Sequence, residues 1–141
     1  MSGEMTGIEH FNVIAGMRPA TGYSHGVAAR GRFVAIAGQV AMGEDGELVG
    51  AGDPMAQVER VFENLSRVLS AAGASFGDVI KFGVFVTDIG ILPIVREVRD
   101  RHVGANPPAS TAVQVGALFQ PGYLVEIDAL AVVPDADRAL A

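Results

Sequence analysis

The chain contains no cysteine and no tryptophan, and Lys81 is its only lysine. Without cysteine it has no disulfide framework, no thiol nucleophile and no thiolate metal site. A single lysine and a net charge of −6 leave it without the basic clusters that phosphate backbones require, so nucleic acid is not an expected partner. Aromatic residues are scarce, seven Phe and two Tyr, so the core must be built from aliphatic and small side chains. No apolar run approaches the roughly 18 residues that span a membrane. The opening MSGEMTGIEHFNV lacks the basic-then-apolar order of a secretory signal. These absences predict a soluble, cytoplasmic protein with no membrane partner. His10, His25 and His102 stand far apart, in no ligand spacing, and no metal site is expected.

What is present is compatible with one domain over residues 1–141, with 1–7 and 134–141 as flexible tails. Half of the residues are hydrophobic and the mean hydropathy is +0.35, high for so short a chain. That excess predicts a buried subunit interface, because obligate interfaces resemble a core cut in half.

The element order reads β-β-β-α-β-α-β-β. GIEHFNVIA is a first strand. GVAARGRFVAIAGQVA reads as a hairpin, with arms near 27–30 and 33–40 and Gly31 at the turn. MGEDGELVGAG is an acidic, glycine-rich loop without the Gly-Lys-Ser/Thr ending of a phosphate loop. In DPMAQVERVFENLSRVLSAAG, Asp53 is a natural N-cap and Pro54 suits the first helical position. Met55, Val58, Phe62, Leu65, Leu69 and Ala72 form its apolar stripe, and Gly73 is placed to end it. DVIKFGVFVTD is a strand with Ile80, Phe82, Val84 and Val86 on one face. GILPIVREVRDRHVG is a second helix buried through Leu92, Val95, Val98 and His102, with Arg96, Arg99 and Arg101 read as solvated. STAVQVGAL and YLVEIDALAVV complete an α+β domain, a sheet with two helices on one face. Its other face then needs cover, which oligomerisation would supply.

Candidate chemistry concentrates near the end of the chain. On the last strand Val125, Ile127, Ala129, Ala131 and Val133 share one apolar face, which puts Glu126 and Asp128 on the other. A carboxylate so placed sits either at a solvated sheet end or in a cleft where desolvation would let it shuttle protons near neutral pH. Ser110 and Thr111 open a strand after Pro107-Pro108. Hydroxyls and free N–H groups there either hold a ligand carboxylate or carbonyl, or satisfy the turn itself. Ser24-His25 lacks an identifiable third partner and is not a triad. Tyr23, between Gly22 and Ser24, either lines a pocket or caps the core.

GYSHGV, FVAIAGQVA, GELVG, the long run from MAQVERVFENL to VFVTDI, NPPASTAVQVGAL and LVEIDALAVV occur in this order, and together they resemble the Rid family, also called YjgF/YER057c/UK114 and formerly endoribonuclease L-PSP. The similarity runs from about Tyr23 to Val133. It implies a chorismate-mutase-like α+β fold and a homotrimer whose sheets surround a central barrel, with small-molecule clefts between subunits. Members with deaminase activity hydrolyse enamine/imine acids such as 2-aminoacrylate to 2-keto acids and ammonia, without a cofactor. An arginine after their Pro-Ala clamps the substrate carboxylate, and a tyrosine and a glutamate complete the cleft. By this resemblance Tyr23 and Glu126 match the tyrosine and the glutamate, and Gly38 matches the glycine before the glutamine.

Three departures stand out. The arginine position is Ser110, an asparagine of the second helix is Arg96, and the serine before Gly38 is Ala37. Losing a charge-assisted carboxylate clamp costs about 1.5–3 kcal/mol, or roughly 10- to 100-fold in affinity. The resemblance therefore points to a cleft of altered specificity, with Glu126 as the catalytic group and Tyr23, Gly38, Ser110, Thr111 and Arg96, as a displaced cation, at the substrate. The alternative is a non-enzymatic ligand-binding or interaction member of the same fold.

Overall fold

The computed structural model describes residues 7–135. Apart from Gly7, Pro134 and Asp135, the tails expected over 1–7 and 134–141 lie outside the described residues. The elements follow the expected order: β1 (Ile8–Phe11), β2 (Gly26–Ala29), β3 (Arg32–Gln39), α1 (Pro54–Ala71), β4 (Val79–Val86), α2 (Leu92–Asp100), β5 (Ala109–Gln114) and β6 (Val125–Val133). Four strands form a mixed sheet in the order β3-β6-β4-β5, in which only β4 and β5 run parallel. They are joined through α2, as a parallel connection requires. Among the described residues no helix is long and apolar enough to cross a membrane.

α1 begins as its sequence dictates. The Ala56 amide donates to Asp53 Oδ1 at 3.1 Å, and Pro54 takes the first turn. Val58, Val61, Phe62, Leu65 and Leu69 are all at most 1% exposed against the sheet. Gly73 leaves the helix at φ +74°, a conformation that costs glycine little. β6 alternates as expected from Val125 to Ala131: Val125, Ile127, Ala129 and Ala131 are buried, with Glu126 and Asp128 between them on the opposite face. At its end the expectation fails, with Val132 buried and Val133 only half-buried. α2 presents Val95 and Val98 to the same core. Beyond its end the His102 ring stacks on Phe62 at 5.4 Å, and desolvation with the Arg101 charge lowers its pKa. Arg101 ties the helices together, donating to Glu97 at 3.0 Å and to Glu59 of α1 at 2.8 Å.

Three expectations about strands are corrected. The predicted hairpin does not form: β2 pairs with β1, and β3 pairs with β6. Gly31 turns a corner instead, with its α-carbon packed against the Val133 backbone so closely that a Cβ would collide with it. The first strand is only four residues long. In β4 the register against β6 slips between Val79 and Lys81, so that Val79, 2% exposed, rather than Ile80 joins Phe82 and Val84 in the core.

One fully buried polar side chain holds the framework around β6. Gln57 of α1 donates through Nε2 to the Gly50 carbonyl at 3.1 Å and the Gly122 carbonyl at 2.8 Å. Its Oε1 accepts from the Leu124 amide at 2.9 Å. Three backbone groups from two loops thus depend on one amide. Gln57→Ala is expected to cost about 2–4 kcal/mol of stability, because unpaired buried groups cost about 1–3 kcal/mol each. Urea denaturation of the variant beside the parent checks this.

Candidate functional site

The parallel pairing of β4 and β5 sets Phe82 opposite Ser110 and Val84 opposite Ala112. Phe82 and Val84 belong to the helix-covered core, so Ser110 and Ala112 lie on that side, under α2. A small cavity of about 40 Å³ opens there. Its floor is apolar, formed by Phe82, Val84, Leu92 and Val95, and its polar lining is Ser110, Arg96 and Arg99. Arg96 is exposed and makes no ion pair among the described residues. The Ser110 hydroxyl likewise has no hydrogen-bond partner among them. The fold therefore brings the serine that replaces the expected cation together with two arginines of α2.

Arg99 corrects the expectation of a solvated side chain: it is 8% exposed. The signal was present in the sequence. Leu92, Val95 and Arg99 are spaced three and four apart, which puts Arg99 on the buried stripe of α2. The same reasoning keeps Arg101 in solvent, where it is found.

The Tyr23 loop is stitched to the start of β5. The Ser24 amide donates to the Pro108 carbonyl at 3.0 Å, and Ser24 bridges Ala109. The Ser24 hydroxyl donates to the Pro107 carbonyl, so it accepts from His10 Nδ1–H at 3.0 Å. Ser24, 1% exposed, is thus a clasp, with its proton committed to a carbonyl. The clasp sets Gly22 beside the Arg99 guanidinium, where a Cβ would lie 3.4 Å from Nη2. Tyr23 itself is 37% exposed and meets the His25 ring edge-on at 5.4 Å. It lines a separate open pocket with Arg18, Thr21 and His25.

Gly38 and Glu126 come together elsewhere, on the helix-free face. The register of β3 against β6 shifts between Ile36 and Gln39, and this irregularity sets Gly38 beneath the Glu126 carboxylate. A Cβ at position 38 would overlap that carboxylate. Glu126 makes no hydrogen bond or ion pair among the described residues and faces an open groove of about 390 Å³ with Phe85, Leu118 and Phe119. Thr111 alternates away from Ser110, sits opposite Gly83, and lines neither this groove nor the α2 cavity. Within one chain Ser110 and Arg96 thus lie on the helix-covered side of the sheet and Gly38 and Glu126 on the other, with Tyr23 in a pocket of its own and Thr111 lining none of the three.

This mixed α+β architecture, two helices over one face of a β3-β6-β4-β5 sheet, has close counterparts among known proteins. A family profile described as Endoribonuclease L-PSP matches residues 14–133, and the chain belongs to that family, the Rid or YjgF family. Protein DfrA of Myxococcus xanthus is 42% identical over 102 residues, covering 72% of this chain and 77% of that protein. The human 2-iminobutanoate/2-iminopropanoate deaminase is 34% identical over 102 residues, covering 72% of this chain and 73% of that enzyme. The crystal structure of a Rid-family protein from Yersinia pestis superposes with a TM-score of 0.77 at 35% identity, covering 90% of this chain and 99% of that one.

The close approach of Gly38 to Glu126 yields a double-mutant expectation. Gly38→Ala is expected to destabilise the parent protein by about 1–3 kcal/mol, as overpacking does. In a Glu126→Ala background, where the carboxylate is gone, most of that cost is expected to vanish. Urea midpoints of the four proteins give the coupling energy.

Proposed function

We propose that this protein is a cofactor-independent enamine/imine deaminase of altered specificity, acting on small molecules in clefts between the subunits of a homotrimer. The observation that carries the reading is the cavity in which Ser110 meets Arg96 and Arg99: cations come from α2 where the family resemblance places an arginine on β5. The relationship to a human enzyme named as an imino-acid deaminase supports the reaction class. The separation of Ser110 from Glu126 within one chain supports a cleft completed by a second copy. So does the exposed strand β5, which on its outer edge is bridged by Ser24 at Ala109.

In this reading Tyr23 and Ser110 contact the substrate and Gly38 leaves room for the Glu126 carboxylate. Glu126 takes a proton from water as the water oxygen bonds to the imine carbon. That proton and the one left on the new hydroxyl pass to nitrogen, the C–N bond breaks as the hydroxyl oxygen becomes the carbonyl, and ammonia leaves a 2-keto acid. A positioned general base of this kind contributes about 10²–10⁴ in rate.

Ammonia release from freshly generated 2-aminoacrylate and from bulkier imino acids tests the proposal. Enzymatic release above the spontaneous rate is expected for at least one substrate, with Glu126→Gln at least about 100-fold slower at unchanged urea stability. No acceleration with any of them would favour the ligand-binding alternative, and full activity in Glu126→Gln would remove that residue from the mechanism. Sedimentation equilibrium at micromolar concentration is expected to give a trimer; a stable monomer would overturn the intersubunit cleft.

A further inference from the structure

Arg99 is an ion pair out of balance. Its side chain is 9% exposed, whereas that of its partner, Asp100, is 64% exposed. Arg99 Nε and Nη2 both donate to the same oxygen, Asp100 Oδ1, at 3.1 and 2.9 Å. A guanidinium carries five N–H donors in a fixed fork. Two are spent on that single oxygen, and no other acceptor reaches the group among the described residues. The unpaired donors of Arg99 are not sealed from solvent, whereas its stem is buried, so they open onto space that an anion can enter. Arg99 also lines the α2 cavity, where the unpartnered Ser110 hydroxyl faces the same space and the floor of Phe82, Val84, Leu92 and Val95 offers no competing charge.

We infer that Arg99 is the anion-binding group of this cavity. It takes the carboxylate of a small 2-oxo or 2-imino acid through its fork, Ser110 adds a hydrogen bond, and Asp100 is an internal stand-in that the ligand displaces. About 40 Å³ accommodates a carboxylate and little else, so the cavity seats the anionic end of the ligand. Arg96, exposed at the same cavity, raises the local anion concentration without being the clamp. The inference rests on the cavity being the carboxylate end of the proposed cleft, and it places the specificity determinant on α2.

Calorimetric titration of the full chain with pyruvate, and with uncharged pyruvamide of the same shape, tests it. The parent is expected to prefer pyruvate. Arg99→Met is expected to lose pyruvate affinity by about 10- to 100-fold, the loss for a charge-assisted hydrogen bond, and Arg96→Met distinctly less. Asp100 is at the surface, so Asp100→Asn is expected to fold normally and to bind pyruvate several-fold more tightly, because the competing carboxylate is gone. The inference is overturned if the parent shows no preference for pyruvate, if folded Arg99→Met binds it as the parent does, or if Asp100→Asn binds it no more tightly. Should Arg99→Met fail to fold, Asp100→Asn decides alone. Intact pyruvate selectivity without ammonia release would retain the anion site and reject the deaminase reading; ammonia release without pyruvate selectivity would do the reverse.

Discussion

β6 is hydrogen-bonded on both sides, to β3 and to β4, and its alternation from Val125 to Ala131 sorts the whole molecule. Every second side chain must enter the core under α1, and the residues between must face the other way. Val125, Ile127, Ala129 and Ala131 are small or β-branched enough to lie flat beneath Phe62 and Leu65, so the helices settle on that face. Glu126 and Asp128 are excluded from it by the same geometry. Each stands over a glycine on a neighbouring strand, Gly38 on β3 and Gly83 on β4, because any larger residue there would occupy the space of the carboxylate. A slip of one residue would bury two carboxylates and expose four apolar side chains, so the register is fixed by cost rather than by any single contact.

The loops that carry candidate site residues are held to this frame by buried polar groups. Gln57 fixes the chain just before β6, at Gly122 and at Leu124, the latter one residue before Val125 and two before Glu126. Ser24, with His10 behind it, fastens the Tyr23 loop to Pro107 and Pro108. These clasps are side chain to backbone, so they specify where a loop sits without demanding a matching side chain elsewhere. The loop-borne Tyr23 and the strand-borne Ser110 therefore have fixed places relative to one another.

Much of this was legible in the sequence because it depends on local periodicity. The cap at Asp53, the stripe of α1, the alternation of β6 and the element order follow from spacing alone, and motif resemblance singled out Ser110, Gly38 and Glu126. Strand partners were less legible. The run around Gly31 satisfies hairpin chemistry, and only the long-range claim of β6 on β3 excludes that pairing. The bulge at Ile80 was hidden for the same reason, since a register slip is a property of two strands. Arg99 was misplaced because residue type outweighed position: arginine suggests solvent, whereas its spacing from Leu92 and Val95 points inward.

The adjacency of Arg99 and Asp100 has a consequence for what can occupy the α2 cavity. A carboxylate fixed one residue along the chain competes at an effective concentration of about millimolar, whatever the solution contains. Weakly held inorganic anions at lower concentration cannot displace it. With Arg99 as the clamp, a ligand prevails only if the part of it outside the cavity adds contacts to its charge, so the tether would act as a threshold that disfavours bare ions relative to organic acids.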